Sequence, residues 1–439
     1  MRKMTQGSIA RHLIAYALPL ILGNIFQLTY NAVDSIVIGK FAGENALAAV
    51  SAANPVMTIV ILGVSGVSIG ASVLMSRFFG AGDTQKLRRE VATTLVFGAI
   101  ASLIVFLIGL PLSEPVLRLM NVPADVLLMA AGYLRVIFVG FLFTFQYNIL
   151  AAALRSVGDS KTPVIFLAVA SVMNAGLDVV FVAFGKWGVI GAGAATVIAE
   201  GASALLCAAH IYRNIPLLHL SLRDLRIDKT LLSETVSYGA ITALQQACQP
   251  IGKAVIQSVI NAQGVSVMAA FNAVSRIDDF ACIPEQSISS GIMTCIAQNR
   301  GAGEHERVGQ TLRYGMGIEA VYGVLICLIV LAVKMPVMRL FAAQDSVSMI
   351  GMGVDYLTLM AFFYILPGLT NGIQGYFRGM GEMKTTLIAT FIQISVRALV
   401  VWMLVPRIGL NGAAWACAAG WCLMLVYTFF RYRKVKIKA

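Results

Sequence analysis

Charge is scarce in this sequence. Only 12% of its 439 residues are Asp, Glu, Lys or Arg, about half the share that a water-facing globular domain carries. So little charge cannot cover a surface in contact with water, and a soluble enzyme is excluded. Metal-ligand chemistry is thin as well. The seven cysteines (Cys207, Cys248, Cys282, Cys295, Cys327, Cys417 and Cys422) are scattered through apolar runs without a close pair of the zinc-binding kind, which marks them as small packing residues. The four histidines (His12, His210, His219 and His305) fall near predicted helix ends or in loops, so no metal centre is expected. No glycine-rich phosphate loop of the Walker type is present, and no nucleophile–base pair suggests an enzyme.

What the chain does have is apolar length. Hydrophobic residues make up 58% of it, and its mean hydropathy is +0.81. Apolar runs of about 20 residues, enough to cross a bilayer core of roughly 30 Å, recur from end to end. Read between polar breaks they predict twelve helices, near 12–38, 50–76, 91–112, 130–154, 162–184, 190–212, 235–261, 266–298, 310–334, 350–377, 385–405 and 410–431. The first run is too long for a cleavable signal peptide and lacks a small-residue cleavage site. The fold class expected is an all-α polytopic membrane protein.

The formal charge of +12 then reads as membrane topology, and no nucleic-acid partner is expected. Lys40, Arg118, Arg135, Lys186, Lys334, Arg339 and Arg407 lie on one side, and Lys253, Arg276 and Arg397 fall inside spans. The other 23 of the 33 basic residues, among them Arg77, Arg88, Arg155, Arg223, Arg300, Arg378 and Lys438, lie in the opposite loops and the termini. The positive-inside rule places that side, with both termini, in the cytoplasm. The bacterial inner membrane is the expected location.

The two halves of the chain resemble each other. Gly80-Ala-Gly-Asp83 matches Gly301-Ala-Gly-Glu304 at an offset of 221, as Pro115-Val-Leu-Arg-Leu119 matches Pro336-Val-Met-Arg-Leu340. Gly191-Ala192 matches Gly412-Ala413 at the same offset, and Arg155, Gly158, Asp159 and Lys161 match Arg378, Gly381, Glu382 and Lys384 at 223. The domains expected are an N-terminal six-helix bundle over 1–212, a cytoplasmic linker over 213–234 and a C-terminal six-helix bundle over 235–439. An even number of helices per repeat gives both bundles one orientation, related by a pseudo-two-fold axis along the membrane normal.

Ionisable groups inside spans are costly and face the protein interior or a cavity. Asp34 lies about four residues before the outer end of predicted helix 1, Asp178 about six before that of helix 5, and Thr196 about six after the outer start of helix 6. At about 1.5 Å per residue, all three sit roughly 6–9 Å below the outer boundary. Asn174 precedes Asp178 by one helical turn, as Tyr30 precedes Asp34. These oxygen-bearing groups suit Na⁺. Equally, two neighbouring carboxylates share a proton more readily than they both ionise. Glu200, one turn deeper than Thr196, is a supporting member. In the second half Asp34 becomes Val255 and Asp178 becomes Leu399 or Val401, so the constellation is not repeated. Lys253, Asp278, Arg397 and Asp355 are candidates there for ion pairs or, with Gln249, for the polar lining of a substrate cavity. Pro19 and Pro250 remove helical hydrogen bonds and are candidate bending points. Gly66-Val-Ser-Ile-Gly70 and Gly368-Leu-Thr-Asn-Gly372 favour close helix packing.

Over its whole length the chain resembles the MATE (multidrug and toxic compound extrusion) family of antiporters, nearest the DinF-like or general prokaryotic branch. The resemblance rests on Pro19…Tyr30…Asp34 with Asp34-Ser-Ile-Val-Ile-Gly39, on Gly80-Ala-Gly-Asp83 and Gln298-Asn-Arg-Gly-Ala-Gly303, and on Arg155-Ser-Val-Gly-Asp159, Asn174-Ala-Gly-Leu-Asp178 and Gly188-Val-Ile-Gly-Ala-Gly193. It implies twelve helices in two bundles and exchange of Na⁺ or H⁺ for small organic, often cationic, compounds. It also implies that Asp34, Asn174, Asp178 and Thr196 couple the cation and that Pro19 bends helix 1 with protonation. Some members carry an acidic residue in helix 7, where this chain has Gln249 and, nearby, Lys253. The function expected is ion-coupled efflux of small organic compounds by alternating access, without a cofactor and in a monomer. The alternative is a lipid-linked oligosaccharide flippase of the same superfamily.

Overall fold

The computed structural model describes residues 2–221, 224–341 and 347–436; Arg223 and Lys438, counted above, lie outside the described residues. Thirteen α-helices account for nearly all of it, and no strand occurs among the described residues. In chain order they are α1 (Ile9–Phe41), α2 (Glu44–Gly80), α3 (Thr84–Leu119), α4 (Ala124–Ser156), α5 (Lys161–Asp178), α6 (Gly188–Asn214) and α7 (Lys229–Asn261). There follow α8 (Val265–Gly301), α9 (His305–Phe341), α10 (Val347–Phe363), α11 (Ile365–Gly379), α12 (Met383–Ile408) and α13 (Asn411–Lys436). α10 and α11 are bent by 42° across Tyr364 and pass as one broken span, which with α1 to α6, α9, α12 and α13 makes ten elements apolar enough to cross a membrane among the described residues; the more polar α7 and α8 stand at the other two expected positions. α5 continues as a π-helical turn over Val179–Phe184.

Two compact units divide the chain, Met1–Lys3 with Pro19–Ala243, and Met4–Leu18 with Leu244–Ala439. The sequence reading drew its boundaries at 212 and 235. The structure draws the division inside α1 and α7 instead. The physical reason in the first unit is glycine packing. A Cβ on Gly66 of α2 would lie 2.5 Å from the Gly239 carbonyl oxygen and 2.7 Å from the Ala243 Cβ, and one on Gly70 would lie 3.0 Å from the Thr235 carbonyl. The early turns of α7 therefore seat on α2. Nor do the described residues of 213–234 run free of the bundle. Arg88 donates to the carbonyls of Pro216 at 2.7 Å and Leu217 at 3.0 Å, and the Asp228 amide donates to Thr93 Oγ1 at 3.0 Å.

In the second unit the chain's start is held by side chains of α8 and α9. The Met4 amide donates to Gln298 Oε1 at 2.9 Å, and its carbonyl accepts from Arg307 Nη2 at 3.1 Å and Asn299 Nδ2 at 3.3 Å. α11 packs through glycine, since a Cβ on Gly375 would lie 2.5 Å from the Ser289 carbonyl and one on Gly379 would lie 2.7 Å from that of Met293.

The internal repeat is written into the backbone. Left-handed glycines end the corresponding loops in pairs: Gly43 with Gly264, Gly82 with Gly303, Gly158 with Gly381 and Gly188 with Gly409. Gly82 at φ 72° and Gly303 at φ 76° explain the Gly-Ala-Gly motif, because a side chain is strained in that region. Asp83 then caps α3, accepting from the Lys86 amide at 2.9 Å. This bond and the nearby Lys86 ammonium hold its carboxyl below the usual aspartate range. The outward faces repeat too. Ile100, Leu103, Ile104, Leu107 and Ile108 of α3 are exposed, and so are Val321, Val324, Leu325, Leu328 and Ile329 of α9, each 221 residues on. Such stripes belong against lipid acyl chains. Replacing Gly66 by alanine is expected to cost about 1–3 kcal/mol through overpacking, read as a lowered melting temperature in detergent; an unchanged melting curve would show that α7 can move away from α2 freely.

Candidate functional site

Within the first unit, α1, α5 and α6 bring the predicted residues together. Asp34 lies seven residues before the end of α1, Asp178 six before the end of the π-helical turn, and Thr196 eight after the start of α6. That is about 9–12 Å of helix; Asp34 and Thr196 lie deeper than in the sequence reading because α1 and α6 run past their predicted ends, while Asp178 keeps its expected depth. Asn174 and Asp178 are buried, and Asp34 is half-buried. The carboxyl groups of Asp34 and Asp178 lie within hydrogen-bonding range of one another. Asn174 Nδ2 donates to Thr196 Oγ1 at 3.4 Å, Thr196 Oγ1 donates to the Ala192 carbonyl at 3.1 Å, and Tyr30 shares a hydrogen bond with Thr196.

Asn174 and Thr196 thus donate within the cluster's neutral members and to the backbone. Asp34 Oδ1, Asn174 Oδ1 and both carboxyl oxygens of Asp178 are buried and accept from no protein group. Buried polar atoms are normally paired, and acceptors left without a protein donor make an arrangement that a cation, a proton or a donating water completes. Oxygen atoms of carboxylate and amide type are suited to a hard cation; a proton held between the two carboxyls would turn one of them into the missing donor. The π-helical turn that begins at Val179, directly after Asp178, fits this, since such turns are rare and concentrate at functional sites.

Glu200, the supporting member, accepts from the Thr144 hydroxyl and lies within electrostatic reach of Tyr30. Tyr133 of α4 is buried and lies within electrostatic reach of Asp34, Tyr30, Asp178 and Glu200. Sequence reasoning missed Tyr133 and Thr144, because nothing in the spacing of α4 marks which of its faces meets α1 and α5. Pro19 interrupts α1 fifteen residues before Asp34 and cannot donate to the Ala15 carbonyl.

With this geometry in hand, comparison with known proteins is informative. The family model described as MatE matches residues 19–180 and again 242–403. The chain belongs to the MatE family. Two matches starting 223 residues apart are the internal repeat, seen independently of the loop motifs. Across 99% of its length this MATE transporter is 28% identical to a "Probable multidrug resistance protein YpnP" of Bacillus subtilis (strain 168), of which 98% is covered. It is 26% identical to a "Probable multidrug resistance protein NorM" of Thermotoga maritima, with 96% of this chain and 90% of that protein aligned. A structure described as the outward-facing conformation of a multidrug resistance MATE family transporter superposes with a TM-score of 0.91, at 22% identity, covering 99% of this chain and 97% of that one. The fold is therefore that of these transporters, and the chain is a carrier rather than an enzyme.

The second unit of the MATE transporter holds the other predicted residues in smaller groups. Lys253 Nζ pairs with Asp279 at 2.9 Å, while Asp278 accepts from the Tyr364 hydroxyl at the break between α10 and α11. Arg397 lies within electrostatic reach of Asp278 and Tyr356. Gln249 Nε2 donates to Gln393 Oε1 at 3.4 Å. Asp355 is exposed and takes part in none of these contacts among the described residues. In the first unit, Asp34→Asn or Asp178→Asn is expected to leave the melting temperature of the detergent-solubilised protein unchanged or raised. Each substitution supplies a donor where two acceptors face each other. A fall of several degrees would mean that both carboxylates serve the fold.

Proposed function

We propose that this MATE transporter is an ion-coupled multidrug exporter of the bacterial inner membrane, and that Asp34 and Asp178 carry the coupling ion. The observation that carries the reading is the facing pair of carboxylates whose acceptor oxygens no protein donor fills. The names given to its relatives, multidrug resistance and export proteins, support small organic compounds as the cargo. The bias of basic residues supports cytoplasmic termini. A monomer, which repeats its own scaffold, is the working unit.

From the outside, H⁺ or Na⁺ enters between Asp34 and Asp178, with Asn174 and Thr196 supplying oxygen and Tyr30, Tyr133 and Glu200 surrounding them. Loading neutralises the pair and removes its repulsion, so α1 takes a different set about the Pro19 interruption and cargo is released. Losing the ion to the cytoplasm restores the negative charge and the state that accepts cargo, so each side is served in turn. One charge moving down the membrane potential supplies about 2.3 kcal/mol per 100 mV. At about 1.4 kcal/mol per tenfold ratio, this sustains a gradient on the order of 40-fold. Export thus needs no nucleotide hydrolysis.

The test is efflux of ethidium from proteoliposomes under an imposed proton or sodium gradient. Efflux is expected to follow one gradient and to drop at least about tenfold in Asp34→Asn, roughly the 1.4 kcal/mol that a single lost charged interaction carries. Gradient-driven efflux that persists in Asp34→Asn would overturn the coupling assignment. Absence of gradient-driven efflux from the wild type would favour the lipid-linked oligosaccharide flippase instead.

A further inference from the structure

The second unit contains another pair of carboxylates that the exchange reading does not use. Glu285 of α8 and Glu319 of α9 are both completely buried. Glu285 lies sixteen residues before the end of α8, and Glu319 fourteen after the start of α9. Both are thus about 21–24 Å of helix from the shared end of the two spans. They are within electrostatic reach of one another. Neither oxygen of Glu319 accepts a hydrogen bond, and Glu285 Oε1 accepts none either. Among the described residues the donor that reaches the pair is Asn371 Nδ2, 3.3 Å from Glu285 Oε2.

The fold packs α11 closely against Glu319 and keeps donors away from it. α11 presents Gly368 and Gly372 to Glu319, where a Cβ would come within 3.3 Å of its Oε2 and Cγ respectively. Met316 and Ile292 close the same space and offer no oxygen. The nearby hydroxyls are committed elsewhere: Tyr322 donates to the Ala281 carbonyl at 2.8 Å, and Ser289 to the Asn371 carbonyl at 2.6 Å. The other titratable groups within reach are Tyr322, Cys282 and Asp278, and no basic side chain is among them.

Two buried carboxylates without a counter-charge cannot both stay ionised at acceptable cost. A dehydrated metal cation would need more oxygen ligands than this apolar setting offers. We propose that Glu285 and Glu319 form a proton-binding site in the second unit. Uptake of H⁺ by one carboxylate removes a buried charge that the surrounding apolar side chains do not offset. The site is separate from the Asp34–Asp178 pair and does not depend on it.

Infrared difference spectra, recorded on the protein in lipid vesicles across a pH series, test this in the carboxylic-acid C=O stretching region. Wild type and Asp34→Asn are expected to share a band component that Glu319→Gln and Glu285→Gln each lose. Glutamine is a neutral near-isostere of the acid, so both variants should fold, as a melting curve will verify. If one variant fails to fold, the other decides alone. Retention of every component in the folded variants would overturn the proposal. So would loss of the component when Na⁺ is added to wild type at constant pH, because a metal cation would then be the occupant. The band is read in Asp34→Asn without any transport assay, so this site and the coupling assignment stand or fall separately.

Discussion

A lipid bilayer offers a backbone no hydrogen-bonding partner, and that constraint organises this molecule. Every N–H and C=O in the hydrocarbon region must be satisfied within its own segment, which leaves helices as the natural elements for a chain this apolar. Departures are therefore few and placed. α5 loosens into a π-helical turn directly after Asp178, and the span formed by α10 and α11 breaks at Tyr364, whose hydroxyl reaches Asp278. Pro19 frees one carbonyl of α1. The irregularities of Asp178 and Tyr364 sit beside ionisable groups, where polar side chains and backbone can support one another.

The same solvent explains how the helices pack. Apolar side chains gain little by leaving lipid for protein, so close approach of backbones does the holding. Gly66 and Gly70 against α7, and Gly375 and Gly379 against α8, bring backbones to distances that a Cβ would forbid. Duplication then sets the scaffold twice. The loop glycines and the outward stripes of α3 and α9 recur at almost one offset, whereas the interior polar groups have diverged. The first unit gathers carboxylates on α1 and α5. The second places Val255 and Leu399 or Val401 at those positions, sets Arg397 near Asp278, and buries Glu285 with Glu319 elsewhere.

Much of the candidate site was legible because helical depth is a one-dimensional quantity. Counting residues from span ends put Asp34, Asp178 and Thr196 at one level, and the four-residue spacing added Asn174 and Tyr30. Azimuth was not legible. Whether Tyr133 faces the cluster, or whether Lys253 turns to Asp279 rather than to Asp278, depends on how each helix is rotated against its neighbours. Asp355, grouped with these by its position inside a span, proved to be exposed.

By itself the sequence determined the membrane class, the twelve spans, the duplication and the level of the first carboxylate pair, since apolar length, glycine conformation and helical rise act locally along the chain. Only the tertiary structure decided that the units divide within α1 and α7, that Pro216, Leu217 and Asp228 dock on α3, and that Glu319 meets no donor among the described residues. These follow from which faces meet, and in a helix-packed membrane protein that is set by contacts between residues far apart in the chain.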